Sequence, residues 1–196
     1  MKYVSIDLET TGLYPGQILQ FAAVLDDLEH PEVPVEELPC LNLLVDSLEY
    51  SGQPFALWLN QDLLKELAND HDNGTVVDLR GHKAVVTEPH LITANFTQWL
   101  VANKYPHQKV VCAGKNFATF DLKFLTAANP EFVYDCRLHH RSLDLGLAYL
   151  RPEDCEPPSL TECCKRAGIK DIVTHDAVDD AILVVKLIRH FMQCVK

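Results

Sequence analysis

Carboxylates interrupt two helical patterns of this chain that are otherwise apolar. Asp121 shares a predicted helix face with Phe117 and Phe124, and Asp180 shares another with Leu187. An unpartnered charge is costly to bury, so acids at these positions need partners in the interior. We therefore expect the fold to bring them together, which limits the arrangements that the chain can adopt.

Asp7 and Glu9 add a further pair of acids at the end of a short apolar run, YVSID. In a strand, residues at i and i+2 leave the same face of the sheet. Asp27 and Glu29 have the same spacing after the next apolar run. If residues 10–16 form the turn of a hairpin, the two pairs lie at opposite edges of the sheet. Only one pair can then reach a site shared with the other acids.

Two histidines each stand five residues before an aspartate. His175 precedes Asp180 at the start of the last predicted helix, where a loop could carry a catalytic side chain. His139 precedes Asp144, for which a surface salt bridge or a helix cap is a sufficient explanation. We interpret His175 as the functional histidine.

Clustered carboxylates provide the oxygen ligands that hard divalent cations prefer. If the fold brings the four acids together, they hold a pair of such cations, and His175 lies beside the last of them. A pair of cations with a neighbouring histidine is typical of a site that cleaves phosphodiesters.

The acids and the histidine lie in three segments that resemble the motifs of the DEDDh exonuclease superfamily. This superfamily includes proofreading subunits of bacterial replicative polymerases, ribonuclease T and oligoribonuclease. Residues 7–12 (DLETTG) match its first motif, residues 116–121 with Phe124 and Leu125 its second, and residues 175–180 (HDAVDD) its third. The resemblance spans nearly the whole chain, and the four family acids and the histidine are present in family order.

Two departures from the commonest family pattern concern residues near the acids. Asn116 precedes Asp121 by five residues and follows Lys115, which looks more like oligoribonuclease and the mammalian three-prime repair exonucleases. Gln20 stands where many relatives carry Glu. Neither departure changes one of the four acids, so the resemblance implies an active enzyme.

The resemblance implies a 3′–5′ exonuclease that hydrolyses single-stranded DNA or short RNA from the 3′ end to nucleoside 5′-monophosphates. Two Mg²⁺ or Mn²⁺ ions would be held by Asp7, Glu9, Asp121 and Asp180, and His175 would be the general base. Several relatives dimerise to complete the site, so a homodimer is compatible with the resemblance. The sequence does not choose between RNA and DNA.

Two functions from other classes stay open. One is a catalytically silent module that binds nucleic acid or protein on the same scaffold. The other is a metal-dependent phosphatase that acts on small phosphate esters.

Four further residues are candidates for substrate binding. Thr10 and Asn116 would position the substrate, and Leu13 resembles the family position that wedges near the terminal base. Trp58 lies in an amphipathic segment, where it is either a core residue or, like Phe55, a platform on which a base stacks.

The net charge of −11 argues against tight binding to long duplexes, which usually requires a basic surface. We therefore expect a small substrate, a few terminal nucleotides of a single strand. With 47% hydrophobic residues, residues 1–196 are expected to form one domain. Seven cysteines without a C-x-x-C pair indicate reduced thiols in a cytoplasmic protein. The apolar runs are too short for a signal sequence or a membrane span.

Hydrophobic periodicity predicts three strands followed by strands that alternate with helices. The strands are expected near residues 2–8, 17–27, 39–46, 109–114 and 132–136, and the helices near 56–69, 89–103, 142–150, 159–168 and 175–193, with one more around Asp121. Residues 28–38 and 70–88 are expected to form loops or an extra hairpin. This order is that of an α/β ribonuclease H-like fold, in which three antiparallel strands of a central mixed sheet precede strand–helix units and helices cover both faces.

Overall fold

The computed structural model describes residues 1–69, 71–106, 108–171 and 173–195. Within these residues the chain forms a seven-stranded mixed sheet. The strands are β1 (Lys2–Thr10), β2 (Ile18–Asp27), β3 (Cys40–Val45), β4 (Val76–Leu79), β5 (His82–Thr87), β6 (Cys112–Gly114) and β7 (Leu143–Asp144), in the spatial order β4-β5-β3-β2-β1-β6-β7. The helices are α1 (Pro54–Leu59), α2 (Gln61–Leu67), α3 (Ile92–Ala102), α4 (Asp121–Ala128), α5 (Phe132–Asp135), α6 (Leu145–Ala148), α7 (Leu160–Ala167) and α8 (Ala177–Cys194). Strands β1 to β3 are antiparallel, which confirms the predicted start of the fold.

Strand β1 lies inside the sheet, antiparallel to β2 and parallel to β6. Its side chains alternate between the two faces. Val4, Ile6 and Leu8 belong to an apolar cluster that includes residues of α3 and α4, whereas Tyr3 belongs to a second cluster formed with α7 and α8. Helices therefore cover both faces, as predicted. The alternation places Asp7 on the same face as Tyr3, toward α8.

Helix α8 is fixed to this face by buried polar contacts near both of its ends. The Ser5 hydroxyl donates to the carbonyl oxygen of Ala181 at 2.9 Å. Nearer the other end, the Arg189 guanidinium pairs with the buried carboxylate of Asp26, with 2.5 Å between Nη2 and Oδ1. These contacts set the rotation of the helix, so that Asp180 is turned toward the sheet and is only 6% exposed.

One segment that the sequence predicts to be a strand is a helix. Residues 132–136 combine aromatic and β-branched side chains, which favour a strand, but Phe132–Asp135 form α5. Phe132 and Cys136 are both buried, whereas Tyr134 between them is 79% exposed. Burial at a spacing of four is the pattern of a helix, and this tertiary packing overrides the local preference.

The helix predicted over residues 142–150 begins instead with a strand. Leu143 and Asp144 form β7, which pairs in parallel with Ala113 and Gly114 at the edge of the sheet. Only then does α6 begin, with the Asp144 carboxylate accepting a hydrogen bond from the Gly146 amide at 2.7 Å. The pairing satisfies backbone groups of β6, a requirement that a helical pattern in the sequence does not reveal.

The predicted helix over residues 56–69 is divided into α1 and α2 at Asn60, whose φ of −100° and ψ of 25° leave the helical region. The helix around the second motif starts only at Asp121, so Phe117 is buried in the turn before it and does not share its face.

Residues 71–88 complete the sheet, while Asp70 lies outside the described residues. β4 and β5 form an antiparallel hairpin, and β5 also pairs in parallel with β3. The extra hairpin is therefore part of the central sheet. Residues 28–38 form a loop that contains one 3-10 turn, Val35–Glu37. Among the described residues no helix combines the length and apolar character that a membrane span needs.

Candidate active site

A cavity of about 490 Å³ lies where β1 ends and the chain leaves β6. Its walls come from the end of β1, the turn that follows, helix α1, the segment before α4, and the start of α8. Eight of the nine residues that the sequence proposes for the site line this cavity: Asp7, Glu9, Thr10, Leu13, Asn116, Asp121, His175 and Asp180. The fold therefore brings together the acids that interrupt the apolar patterns.

Each acid is positioned by the start or end of a regular element. Asp7 and Glu9 occupy alternate positions near the end of β1, and Asp121 is the first residue of α4. Asp180 lies in the first turn of α8, which is capped by Asp176. The Asp176 side chain accepts hydrogen bonds from the amides of residues 178 and 179, so the helix that carries Asp180 has a fixed start.

Asp27 and Glu29, the alternative pair, lie at the other end of the sheet. Asp27 is opposite Lys2 in the register of β1 and β2, whereas Glu9 is opposite Gln20. The hairpin thus separates the two pairs by the length of a strand, and Asp7 and Glu9 are the pair that reaches the cavity.

Three of the site residues can reach a single ion. Ligand atoms of Glu9, His175 and Asp180 all lie within 4.8 Å of one another. One carboxylate oxygen of Asp180, Oδ1, is buried and has no hydrogen-bond partner among the described residues. A buried, unpartnered acceptor is costly, and a divalent cation is the kind of ligand that would satisfy it. The donor set of the cavity therefore fits a hard cation.

Burial and mutual repulsion disturb the ionisation of all four acids. Burial is the largest cause in each case, and it raises the pKa of Glu9, Asp121 and Asp180 to about 7. The pKa of Asp7 is raised well above its usual range, by burial and then by the charges of Asp121, Glu9 and Asp180. Without a cation, the cluster holds protons near neutral pH, and bound cations would replace them.

His175 lies on the loop before α8, as the sequence predicts. Its side chain is exposed, and its backbone has a φ of 55°. The position leaves the imidazole accessible to water while α8 holds Asp180 beside it.

The residues proposed for substrate binding fall into two groups. The Thr10 hydroxyl donates to the Gly12 carbonyl at 2.8 Å, and this bond shapes the turn after β1. Asn116 and Leu13 are exposed at the cavity, and the Lys115 ammonium donates to the Asn116 side chain at 2.8 Å. Thr10 therefore has a structural contact, whereas Leu13 and Asn116 are exposed where a ligand could contact them.

Trp58 is not a core residue, because 64% of it is exposed. It is also not one of the residues that line the cavity, whereas Phe55, which is 71% exposed, is one of them. The two rings lie side by side with 6.0 Å between their centroids. The interpretation of Trp58 as core is thus wrong, and Phe55 is the nearer candidate for contact with a ligand.

Asp144 has the structural role that the sequence predicts, as a helix cap, and His139 is not part of the site. The Asp144 carboxylate caps α6 and also accepts a hydrogen bond from the Asn116 amide at 3.1 Å. Asp144 therefore helps to hold the loop in which Asn116 adopts a φ of 66°. His139 does not line the cavity.

Three residues near the acids have no role in the sequence interpretation. Asn60 lines the cavity, is 1% exposed, and lowers the pKa of Glu9 by a hydrogen bond that offsets part of the effect of burial. Asp176 caps α8, and an aspartate just before an apolar helix is a signal that could have identified it. Arg80 reaches the site from the distant β4–β5 hairpin, and no local signal in the sequence indicates this.

Gln20 stands where many members of the superfamily that the sequence resembles carry Glu. Its surroundings explain why an amide fits at this position. It is fully buried, donates to the carboxylate of Asp176 at 3.3 Å and accepts from the Ala177 amide at 3.2 Å. A carboxylate here could not donate to Asp176 and would add another buried negative charge. Gln20 thus joins β2 to the start of α8.

The raised pKa values predict how stability depends on pH and on metal. A carboxyl group with a pKa of about 7 when folded and about 4 when unfolded stabilises the protein below about pH 4, and this contribution is lost as the pH rises to about 7. In urea titrations with a chelator, we expect stability to fall over this range. Saturating Mn²⁺ should stabilise the protein more at about pH 8 than at about pH 5, because cations bind the ionised carboxylates.

The variant Asp180→Asn tests the same point at one residue. At about pH 8 and without metal it should be more stable than the wild type by about 1–3 kcal/mol, since one buried charge is removed, and it should lose most of the stabilisation by Mn²⁺. Glu36→Gln, a change at an exposed acid far from the cavity, is the control and should alter neither quantity. A less stable Asp180→Asn that retains the full Mn²⁺ effect would contradict the placement of this acid.

No family model and no curated protein matches the sequence. Solved structures with a similar fold include cell-death related nuclease 4 (CRN-4), with a TM-score of 0.67 and 14% identity over 98% of this chain and 64% of that one. The nuclease domain of 3′hExo, a DEDDh family member bound to rAMP, has a TM-score of 0.66 and 14% identity over 98% of this chain and 92% of that one.

Exonuclease I of E. coli, in a zinc-bound complex with single-stranded DNA, has a TM-score of 0.66 and 17% identity over 98% of this chain, which spans 40% of that protein. These neighbours are nucleases, and at such identities the similarity establishes the architecture. The chain therefore shares the α/β ribonuclease H-like fold of these nucleases, as its sequence predicts.

Proposed function

We propose that this chain is a metal-dependent 3′–5′ exonuclease of the DEDDh type. It would hydrolyse the terminal phosphodiester of single-stranded DNA or short RNA and release nucleoside 5′-monophosphates. The observation that carries the proposal is the meeting of Asp7, Glu9, Asp121 and Asp180 in one cavity, beside the exposed side chain of His175.

Asp7, Glu9, Asp121 and Asp180 would hold two divalent cations, Mg²⁺ or Mn²⁺. The unpartnered oxygen of Asp180 and the raised pKa values of the acids support this assignment. When bound, such ions activate water and stabilise the charge that develops on the phosphate and on the leaving oxygen. They would also neutralise part of the excess negative charge of the chain, so that a nucleic-acid end can approach.

His175 would take the proton that water loses during hydrolysis. Its imidazole lies next to Glu9 and Asp180 and is exposed to solvent, so it can reach the water and can pass the proton on. Imidazole suits this role because it exchanges protons near neutral pH.

The rim of the cavity supports a single-stranded substrate. Lys115 and Asn116 lie beside the acids, where an ammonium and an amide can contact phosphate or base. Leu13, in the turn after β1, and Phe55, in α1, offer exposed apolar surface at the same cavity, against which unstacked bases can pack. The described cysteines are all free thiols, which supports a reducing compartment such as the cytoplasm.

The direct test uses end-labelled RNA and DNA oligomers of graded length, with Mg²⁺ or Mn²⁺, and resolves the products by size. We expect release of mononucleotides from the 3′ end. His175→Ala should lower kcat by about 10²- to 10⁴-fold because the proton acceptor is lost, and it should leave Mn²⁺ binding intact because the proposal assigns the cations to the four carboxylates. Asp7→Ala should abolish both activity and tight Mn²⁺ binding.

The chain offers matched controls for these two variants. His139→Ala changes the other histidine that stands five residues before an aspartate, and Asp27→Ala changes the alternative acidic pair; both should retain wild-type rates. Wild-type rates in His175→Ala or Asp7→Ala would contradict the assignment. Hydrolysis of a simple phosphate monoester without nucleotide release would identify a phosphatase, and metal-independent binding without release would identify a silent binding module.

The exposed rings of α1 generate a separate prediction about substrate affinity. In the His175→Ala background, Phe55→Ala should weaken oligonucleotide binding by about 1–3 kcal/mol, because stacking on a base is lost. Trp58→Ala should have a smaller effect, since its ring lies outside the cavity lining. Tyr134→Ala, which removes a comparably exposed ring elsewhere, is the control. Unchanged fluorescence-anisotropy titrations for the Phe55→Ala, Trp58→Ala double variant would remove both rings from the binding surface.

A further inference from the structure

The hairpin formed by β4 and β5 carries a positively charged side chain, that of Arg80, which reaches the candidate active site. Arg80 and Gly81 form its two-residue turn, and both have positive φ angles, 52° and 86°. This is the geometry of a type I′ turn, in which the second position favours glycine. The Asp78 side chain accepts a hydrogen bond from the Gly81 amide at 3.3 Å and supports the turn. Although it lies at the tip of a hairpin, the Arg80 side chain is only 21% exposed.

Arg80 connects helix α2 to the loop that carries His175. Its Nε and Nη2 atoms donate to the two carboxylate oxygens of Asp62, at 2.5 Å and 2.6 Å. Its remaining terminal nitrogen, Nη1, donates to the backbone carbonyl oxygen of His175. A guanidinium presents its donors in a rigid plane, so a side chain held at two points by Asp62 has a defined direction for the third bond.

The same hairpin contacts the start of α8 at a second point. His82, just after the turn, lies with Nε2 3.0 Å from the Asp179 carboxylate. The other oxygen of Asp179 accepts a hydrogen bond from the Thr174 hydroxyl at 3.1 Å. The residues on both sides of His175 are therefore tied to the hairpin or to each other, although His175 itself is exposed and lies outside regular structure.

We propose that Arg80 is a positioning residue for the hydrolysis proposed above: anchored by Asp62, it holds the backbone of His175 so that the imidazole stays beside Glu9 and Asp180. This inference rests on the proposed function. Arg80 acts through the loop and does not take part in the proton transfer. The β4–β5 hairpin is thus a support for the catalytic loop as well as part of the sheet.

The experiment measures kcat and KM on a labelled oligonucleotide for Arg80→Ala, Arg80→Lys and Asp62→Asn. A displacement of about 1 Å can cost about 100-fold in rate, so we expect Arg80→Ala to lower kcat by about 10- to 100-fold with KM changed less than about threefold. Arg80→Lys should recover only part of this loss, because an ammonium cannot contact both partners in one plane. Asp62→Asn should lower kcat in the same direction. Lys83→Ala, an exposed cation on the same hairpin, is the control and should retain the wild-type kcat.

A double-mutant cycle separates positioning from other roles. If Arg80 acts through His175, Arg80→Ala should have almost no further effect in a His175→Ala background, and Mn²⁺ binding measured by calorimetry should be unchanged. Additive losses in the double variant, or wild-type kcat in both Arg80→Ala and Asp62→Asn, would overturn the inference while leaving the proposed function in place. A wild-type protein that releases no nucleotides would overturn the proposed function and this inference with it.

Discussion

The confinement of four carboxylates in one largely buried cavity is the constraint on which the rest of the site depends. Asp7, Glu9, Asp121 and Asp180 line one cavity, and burial raises the pKa of each. Such a cluster destabilises a fold unless a counter-charge is supplied, because burying like charges together is unfavourable. In the proposed function, divalent cations would supply that charge and, with it, the means to polarise a phosphodiester. Under the proposed function, the cost to folding and the capacity for catalysis would thus have the same origin.

Contacts between helix α8 and the strands of the sheet hold the acids in place. The Asp176 side chain caps α8, and Gln20 ties that cap to β2. Ser5 and the pair of Asp26 and Arg189 fix the helix against the same strands. The acids therefore have little freedom to move apart, and the proposed catalysis would require such an arrangement in advance of substrate binding.

Asp121 and Asp180 could be identified from the sequence because each interrupts an apolar helical pattern, as Asp180 does in the apolar face of α8. Hairpin geometry shows that only one of the two acidic pairs can reach the site, and the resemblance of residues 7–12 to the first motif then selects Asp7 and Glu9. The contribution of Arg80 could not be foreseen, since it depends on a contact between residues 95 positions apart. The strand expected at residues 132–136 is a helix for a related reason: the packing of Phe132 decides its conformation. Local sequence patterns thus predict most of the strands and helices and the acids that face the interior. Contacts between residues far apart in the chain are revealed only by the structure.

The most direct test of the account is a crystal structure grown with Mn²⁺, in which anomalous scattering locates the ions. We predict a pair of Mn²⁺ peaks in the cavity, bounded by carboxylate oxygens of Asp7, Glu9, Asp121 and Asp180. The absence of any Mn²⁺ peak from the cavity would contradict this prediction. So would a peak found only in the neighbouring group of His82, Asp176 and Asp179, whose ligand atoms also lie within 4.8 Å of one another.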